Sequence, residues 1–158
     1  MFRYLLSAIV VTATMCSSTM AAGEDPPIHA SGWDPSEFQM STDGPCSFEL
    51  TAASGFLSLR DSGQTREKAS NAFPASTSAA VLIVNSVLDD IYENPMVAHF
   101  PYFVYRNITC MRRHMGKSVP ESLTAVAPQV MACQQRFGVK ASDHLISCIQ
   151  HVVKGEAR

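Results

Sequence analysis

Charge is scarce in this chain, and the little present leans acidic: 12 Lys and Arg stand against 14 Asp and Glu, a net charge of −2. No basic stripe exists, which removes the electrostatic footprint that nucleic-acid binding requires. Strand-like alternation of apolar and polar residues is missing, and so is any internal repeat, which excludes sheet-based and solenoid architectures. The sequence also lacks Gly-x-Ser-x-Gly, a phosphate loop and His-Glu-x-x-His. It therefore announces no hydrolase, nucleotide-binding or zinc-protease chemistry, and nothing in it calls for a cofactor.

Long apolar runs are equally rare. The one that occurs lies in "MFRYLLSAIVVTATMCSSTMAAGE", where Arg3 precedes an apolar stretch from Leu5 to Met15 and small residues follow to Gly23. This is the pattern of a secretory signal peptide over residues 1–22. The stretch is shorter than the roughly 20 apolar residues a bilayer span needs. A lipid anchor on Cys16 is the alternative, disfavoured because Met15 occupies the place before it where a small residue is expected. The expected localisation is periplasmic or secreted, with no membrane attachment once the leader is cleaved.

Cleavage leaves 136 of 158 residues, enough for one domain with a real core, and the loss of Arg3 takes the net charge from −2 to −3. Four of the five cysteines remain: Cys46, Cys110, Cys133 and Cys148. An even set in an oxidising compartment reads as two disulfides. Residues 23–45 carry four of the nine prolines and no helical period, and read as a flexible Pro-rich lead-in. Ile28, Trp33 and Phe38 stand out in it as apolar side chains able to dock on the domain's own surface or on a partner.

From Cys46 to Gly155 the period is helical, and the fold class is all-α: one small domain of about five helices. Phe48, Ala52, Phe56 and Leu59 recur at three and four residues, and Gly63 closes that helix. "TREKASNAF" forms a short helix or turn. Val81, Val84, Val87, Leu88 and Ile91 share a face of a helix from Ser78 to Tyr92, expected to be the most buried, with Leu82 and Ile83 beside it. Pro101 opens the next helix, whose stripe is Phe103, Val104, Ile108, Met111 and Met115. Ser118 and Glu121 have capping-box spacing, so a helix is expected to start there, run through Leu123, Val126, Val130, Met131 and Phe137, and kink at Pro128. Ser142 caps a last helix carrying Leu145, Cys148, Ile149 and Val152.

"VMACQQRFGVKASDHLISCIQHVV" crowds two cysteines and two histidines into one hairpin. Cys133 and Cys148 lie at nearly equal distances from the "GVKA" turn, so their Cα atoms come level and can be bridged, which contributes about 3 kcal/mol in the loop-closure model. The alternative is a metal site of Cys133, His144, Cys148 and His151, spelled C-x10-H-x3-C-x2-H. It has no tight C-x2-C pair. By elimination the other bridge is Cys46 to Cys110, closing a longer loop at roughly 4 kcal/mol; the other two connectivities that four cysteines allow would need Cys110 to reach past the kinked helix.

Polar candidates are few. Asp89 and Asp90 are adjacent and point apart on a helix, so they read as a solvated edge. Arg60, Asp61, Arg66 and Glu67 read as surface ion pairs, and Arg112, Arg113 and His114 as charge favourable to a helix C-terminus. Asn107 begins a glycosylation sequon that falls inside a helix.

"AASGFLSLRDSGQTREKA", "IVNSVLDDIYENP" and "CMRR", over about residues 46–113, resemble small secreted all-helical bacterial proteins. In size, secretion and helical build the chain is also similar to the periplasmic immunity proteins of type VI secretion. The resemblance implies a bacterial periplasmic or secreted helical protein and supplies no catalytic residue; the function expected is a non-catalytic binding module for another protein, an immunity or inhibitor protein in its sharpest form. The alternatives are a host-directed secreted effector, or an enzyme or ligand carrier whose pocket uses His114 or Arg60.

Overall fold

The computed structural model describes residues 33–38, 44–73 and 77–156; the leader, Cys16 and Ile28 lie outside them. Every described element is helical. A 3-10 turn at Pro35–Glu37 precedes α1 (Ser47–Asp61), α2 (Arg66–Ser70), α3 (Ser78–Glu93), α4 (His99–His114), α5 (Ala127–Phe137) and α6 (Asp143–Lys154). The short α2 is the segment that read as helix or turn.

Local chemistry sets most boundaries. Thr65, Thr77 and Ser142 each turn a side-chain oxygen back to a first-turn N–H, at Lys68, Ala80 and Leu145 respectively. Each satisfies a donor that the helix cannot. At the other end of α6, Gly155 takes the left-handed conformation with φ 71°, where a side chain would be strained. Helix α4 starts at His99, so Pro101 falls in its first turn, where a missing N–H breaks no intrahelical bond.

Tertiary contacts override the capping spacing between Gly116 and Ala127. No helix starts at Ser118, and Glu121 does not close a capping box. Instead Arg112 Nε donates to the Ser118 carbonyl at 3.0 Å and the Leu123 N–H donates to Asp90 Oδ1 at 3.0 Å, fixing this stretch as a loop. Leu123 is thereby driven fully into the core. Pro128 sits in the first turn of α5 and produces no kink.

Helix α4 is the hub. Cys110 and Arg113 meet Cys46 and Glu49 at the start of α1, while His99 meets Asp61 at its end, so α4 runs antiparallel to α1. It also contacts α5, α6 and the 3-10 turn. Ten of its residues are buried, against five in α3, so α4 and not α3 is the most buried helix. Val81 at 40% and Leu82 at 72% exposure leave the start of α3 facing solvent, and Phe48, at 47%, is likewise outside the core. Phe56, Leu57, Leu88, Ile91, Ile108 and Ile149 form the centre. On α1, a Cβ at Gly55 would drive into the Phe73 ring, which also meets Phe56 edge-on at 4.8 Å between centroids. A glycine inside a helix, normally unfavourable, is what lets the far edge of that ring come up against the backbone.

Candidate functional site

Two disulfides fix the ends of the domain. Cys46 and Cys110 are joined with Cα atoms 5.9 Å apart, and Cys133 and Cys148 with Cα atoms 5.8 Å apart. The second joins α5 to α6 across their hairpin. Its sulfurs are bonded to each other and do not stand as thiolates beside the histidines of the alternative metal set. His144 stacks on Phe137 at 5.8 Å. His151 donates from Nδ1 to the Ser147 carbonyl at 2.6 Å and turns Nε2 toward Glu156 at 3.6 Å. The four residues share the hairpin without converging on a point.

Beside this disulfide, a groove of about 530 Å³ opens between α5 and α6. Val126, Ala132, Val152 and the disulfide give it apolar walls, and Arg136, His151 and Glu156 add charge of both signs. It is present because the two helices are held level at Cys133 and Cys148 while the small Ala132 and Gly155 leave space between them.

Inside the bundle lies a buried ionic cluster. Arg106, four residues from both Tyr102 and Cys110 and so on the buried side of α4, is 3% exposed. Its Nε lies 2.7 Å from Glu49 Oε2, and its Nη1 donates to Asp90 Oδ2 at 3.2 Å and to Ser86 Oγ at 3.1 Å. Arg113 closes on Glu49 from outside at 2.8 Å. Burial pushes the Asp90 carboxyl above its ordinary range, with the Leu123 N–H and Arg106 pulling the other way. Asp90 is thus no solvated edge: it is 5% exposed and organises a loop. Asp89 alone faces water, paired with Arg66.

A third buried carboxylate comes from the lead-in. Glu37 is 1% exposed. Oε1 accepts from Arg112 Nη1 and Lys117 Nζ, both at 2.8 Å, and Oε2 accepts from Gln150 Nε2 at 2.9 Å, with Lys154 Nζ at 3.7 Å. Burial raises its pKa, but the hydrogen bond from Lys117 and the charges of Arg112 and Lys154 outweigh it and hold the carboxyl below the usual range. Gln150, fully buried, also accepts from the Asp34 N–H at 2.7 Å and donates to the Asp34 carbonyl at 3.0 Å. Trp33 and Phe38 meet edge-on at 5.8 Å and rest against the core. Part of the lead-in expected to be flexible is therefore docked over residues 33–38. Arg112 is an ion-pair partner and more than a complement to the helix dipole.

The other polar candidates do not converge. Arg60 donates to Asp61 and to the Val97 carbonyl, and Asp61 pairs with His99, all at the C-terminal end of α1. His114 lies at the opposite end, its ring nitrogen within 4.8 Å of the Cys46 and Cys110 sulfurs. Glu67 is exposed, and Asn107 is buried at 1% exposure, so its side chain is closed to a glycosyltransferase in the folded protein. Sequence reasoning missed Glu37, Glu49, Arg106 and Gln150. The available signal was a polar residue on an apolar helix face: Gln150 lies four after Ile146 and three before Val153, all buried. No protein-family model, curated protein or solved structure matches this chain.

Proposed function

We propose that this protein is a periplasmic or secreted, non-catalytic binding module that acts on another protein through the groove between α5 and α6, as an immunity or inhibitor protein would. The observation that carries the reading is that groove: apolar walls, one charge of each sign, and helices held at fixed separation by the Cys133–Cys148 disulfide. Walls held in place before binding lose little freedom when a partner arrives, so more of the contact energy becomes affinity. Exposed Phe48, Leu82 and Met96 add apolar surface elsewhere on the domain. The leader-like start of the chain, its two disulfides and its resemblance to small secreted helical proteins support the compartment. Among the described residues no helix is long and apolar enough to cross a membrane.

A second reading, the ligand carrier, is favoured by the groove's volume, which lies within the roughly 300–1,000 Å³ of small-molecule sites. One experiment separates the two. The mature protein and an Ala132→Arg variant, which fills the groove from an exposed position, are used to capture partners from periplasmic extract. A protein captured by the wild type and lost with the variant supports the binding module. Equal capture by both sinks the groove as its site, and a small molecule carried by the wild type in native mass spectrometry establishes the carrier.

A further inference from the structure

The docked segment 33–38 is bound as a peptide would be. Gln150 takes both the N–H and the carbonyl of Asp34, which reads main chain, and Arg112, Lys117 and Lys154 read the carboxylate three residues further on. Trp33 and Phe38 supply an aromatic at each end. We infer that this face of α4 and α6 is a docking site for an extended acidic and aromatic segment of a partner protein, and that residues 33–38 fill it in cis. This goes beyond the groove reading and uses none of its walls.

Three observations carry the inference. The first is that the receptor groups belong to the domain: Gln150 is buried within α6, and Arg112 is held by the Ser118 carbonyl independently of the segment. The second is that the segment can leave without unwinding α1, because Cys46, the residue before α1, is stapled to Cys110. The third is charge. Three cations face two acids, Glu37 and Asp34, so a partner segment with one more acid complements the face better than the chain's own residues do. A second copy of this chain offers only the same two acids and gains nothing, which favours a different protein as the occupant.

The test uses the full mature chain. Trp33 is the only tryptophan, so its emission reports docking directly. In a Glu37→Gln chain that emission should shift to the red, with the helical circular dichroism unchanged. A fluorescein-labelled peptide of residues 31–40, SGWDPSEFQM, should then bind the Glu37→Gln chain about tenfold or more tighter than the wild type, whose own segment competes. Replacing the peptide's glutamate by glutamine should weaken binding about tenfold, as the loss of a charge-assisted contact does. Replacing its serine by glutamate should strengthen binding. Lys117→Gln, at a side chain 42% exposed and hence safe for folding, should weaken it again. Ala132→Arg should leave it unchanged, which keeps this site separate from the groove. The inference is overturned if Glu37→Gln leaves Trp33 docked, if the released chain fails to bind the peptide, or if binding is lost with Ala132→Arg. A wild-type dimer that falls apart on Glu37→Gln would also overturn it, by making a second copy the occupant.

Discussion

The two disulfides should differ in worth, and the difference can be measured. Cys46–Cys110 closes a separation of 64 residues and Cys133–Cys148 one of 15. In the loop-closure model these lengths stabilise the fold by about 4.3 and about 3.0 kcal/mol, through the freedom they remove from the unfolded chain. A domain of roughly 110 residues melts with an entropy of about 0.23 kcal/mol/K. Replacing Cys46 and Cys110 together by alanine should therefore lower Tm by about 19 °C, and replacing Cys133 and Cys148 by about 13 °C. Cavity effects add to both, since Cys46, Cys110 and Cys133 are each 3% exposed or less. The assay is calorimetry of the oxidised protein, with and without a chelator. The chelator should move neither Tm. If the shorter loop gives the larger loss, loop closure is the wrong account. If freshly isolated protein has free thiols at Cys133 and Cys148 and a chelator unfolds it, the metal set with His144 and His151 replaces the staple.

Arg106→Met should cost about 3–5 kcal/mol in urea unfolding, because it leaves the buried Asp90 without its cation and Glu49 with Arg113 alone; adding Asp90→Asn should recover part of that, and a loss under about 1 kcal/mol would refute the buried cluster. Gly55→Ala should destabilise the protein even though alanine favours a helix by about 1 kcal/mol, because its Cβ displaces Phe73; a higher Tm would place Phe73 elsewhere. Glu37 ionises more easily folded than unfolded, so its contribution is present above the ordinary glutamate range and fades as pH falls through its lowered pKa. On acidification Trp33 emission should therefore shift before helical content is lost, and Glu37→Gln should remove that early step; a single transition for both signals would contradict it.

The sequence by itself determined the helices that carry a strong local instruction. Ser142, Gly63 and Gly155 mark their ends by satisfying or freeing backbone groups within a few residues, and such effects need no tertiary partner. The cysteine pairing was also legible, since Cys133 and Cys148 are symmetric about one turn and only Cys46 and Cys110 then remained. Tertiary structure decided the rest wherever a residue's partner is distant in the chain. Ser118 and Glu121 had the right spacing for a cap, but Asp90 claimed the Leu123 N–H from 33 residues away and made the segment a loop. Phe48 and Val81 had the right period for the core, yet period fixes only which residues share a face and not which neighbour covers it: Phe48 stays exposed although Cys46 and Glu49 beside it are buried against α4, and Val81 stays exposed at the start of α3. Glu37 was one acid among five in a proline-rich stretch until Arg112, Lys117, Lys154 and Gln150, 75 to 117 residues later, met on one face to receive it. Burying a charge is favourable only where several donors converge, and convergence from separate elements is a property of the folded chain.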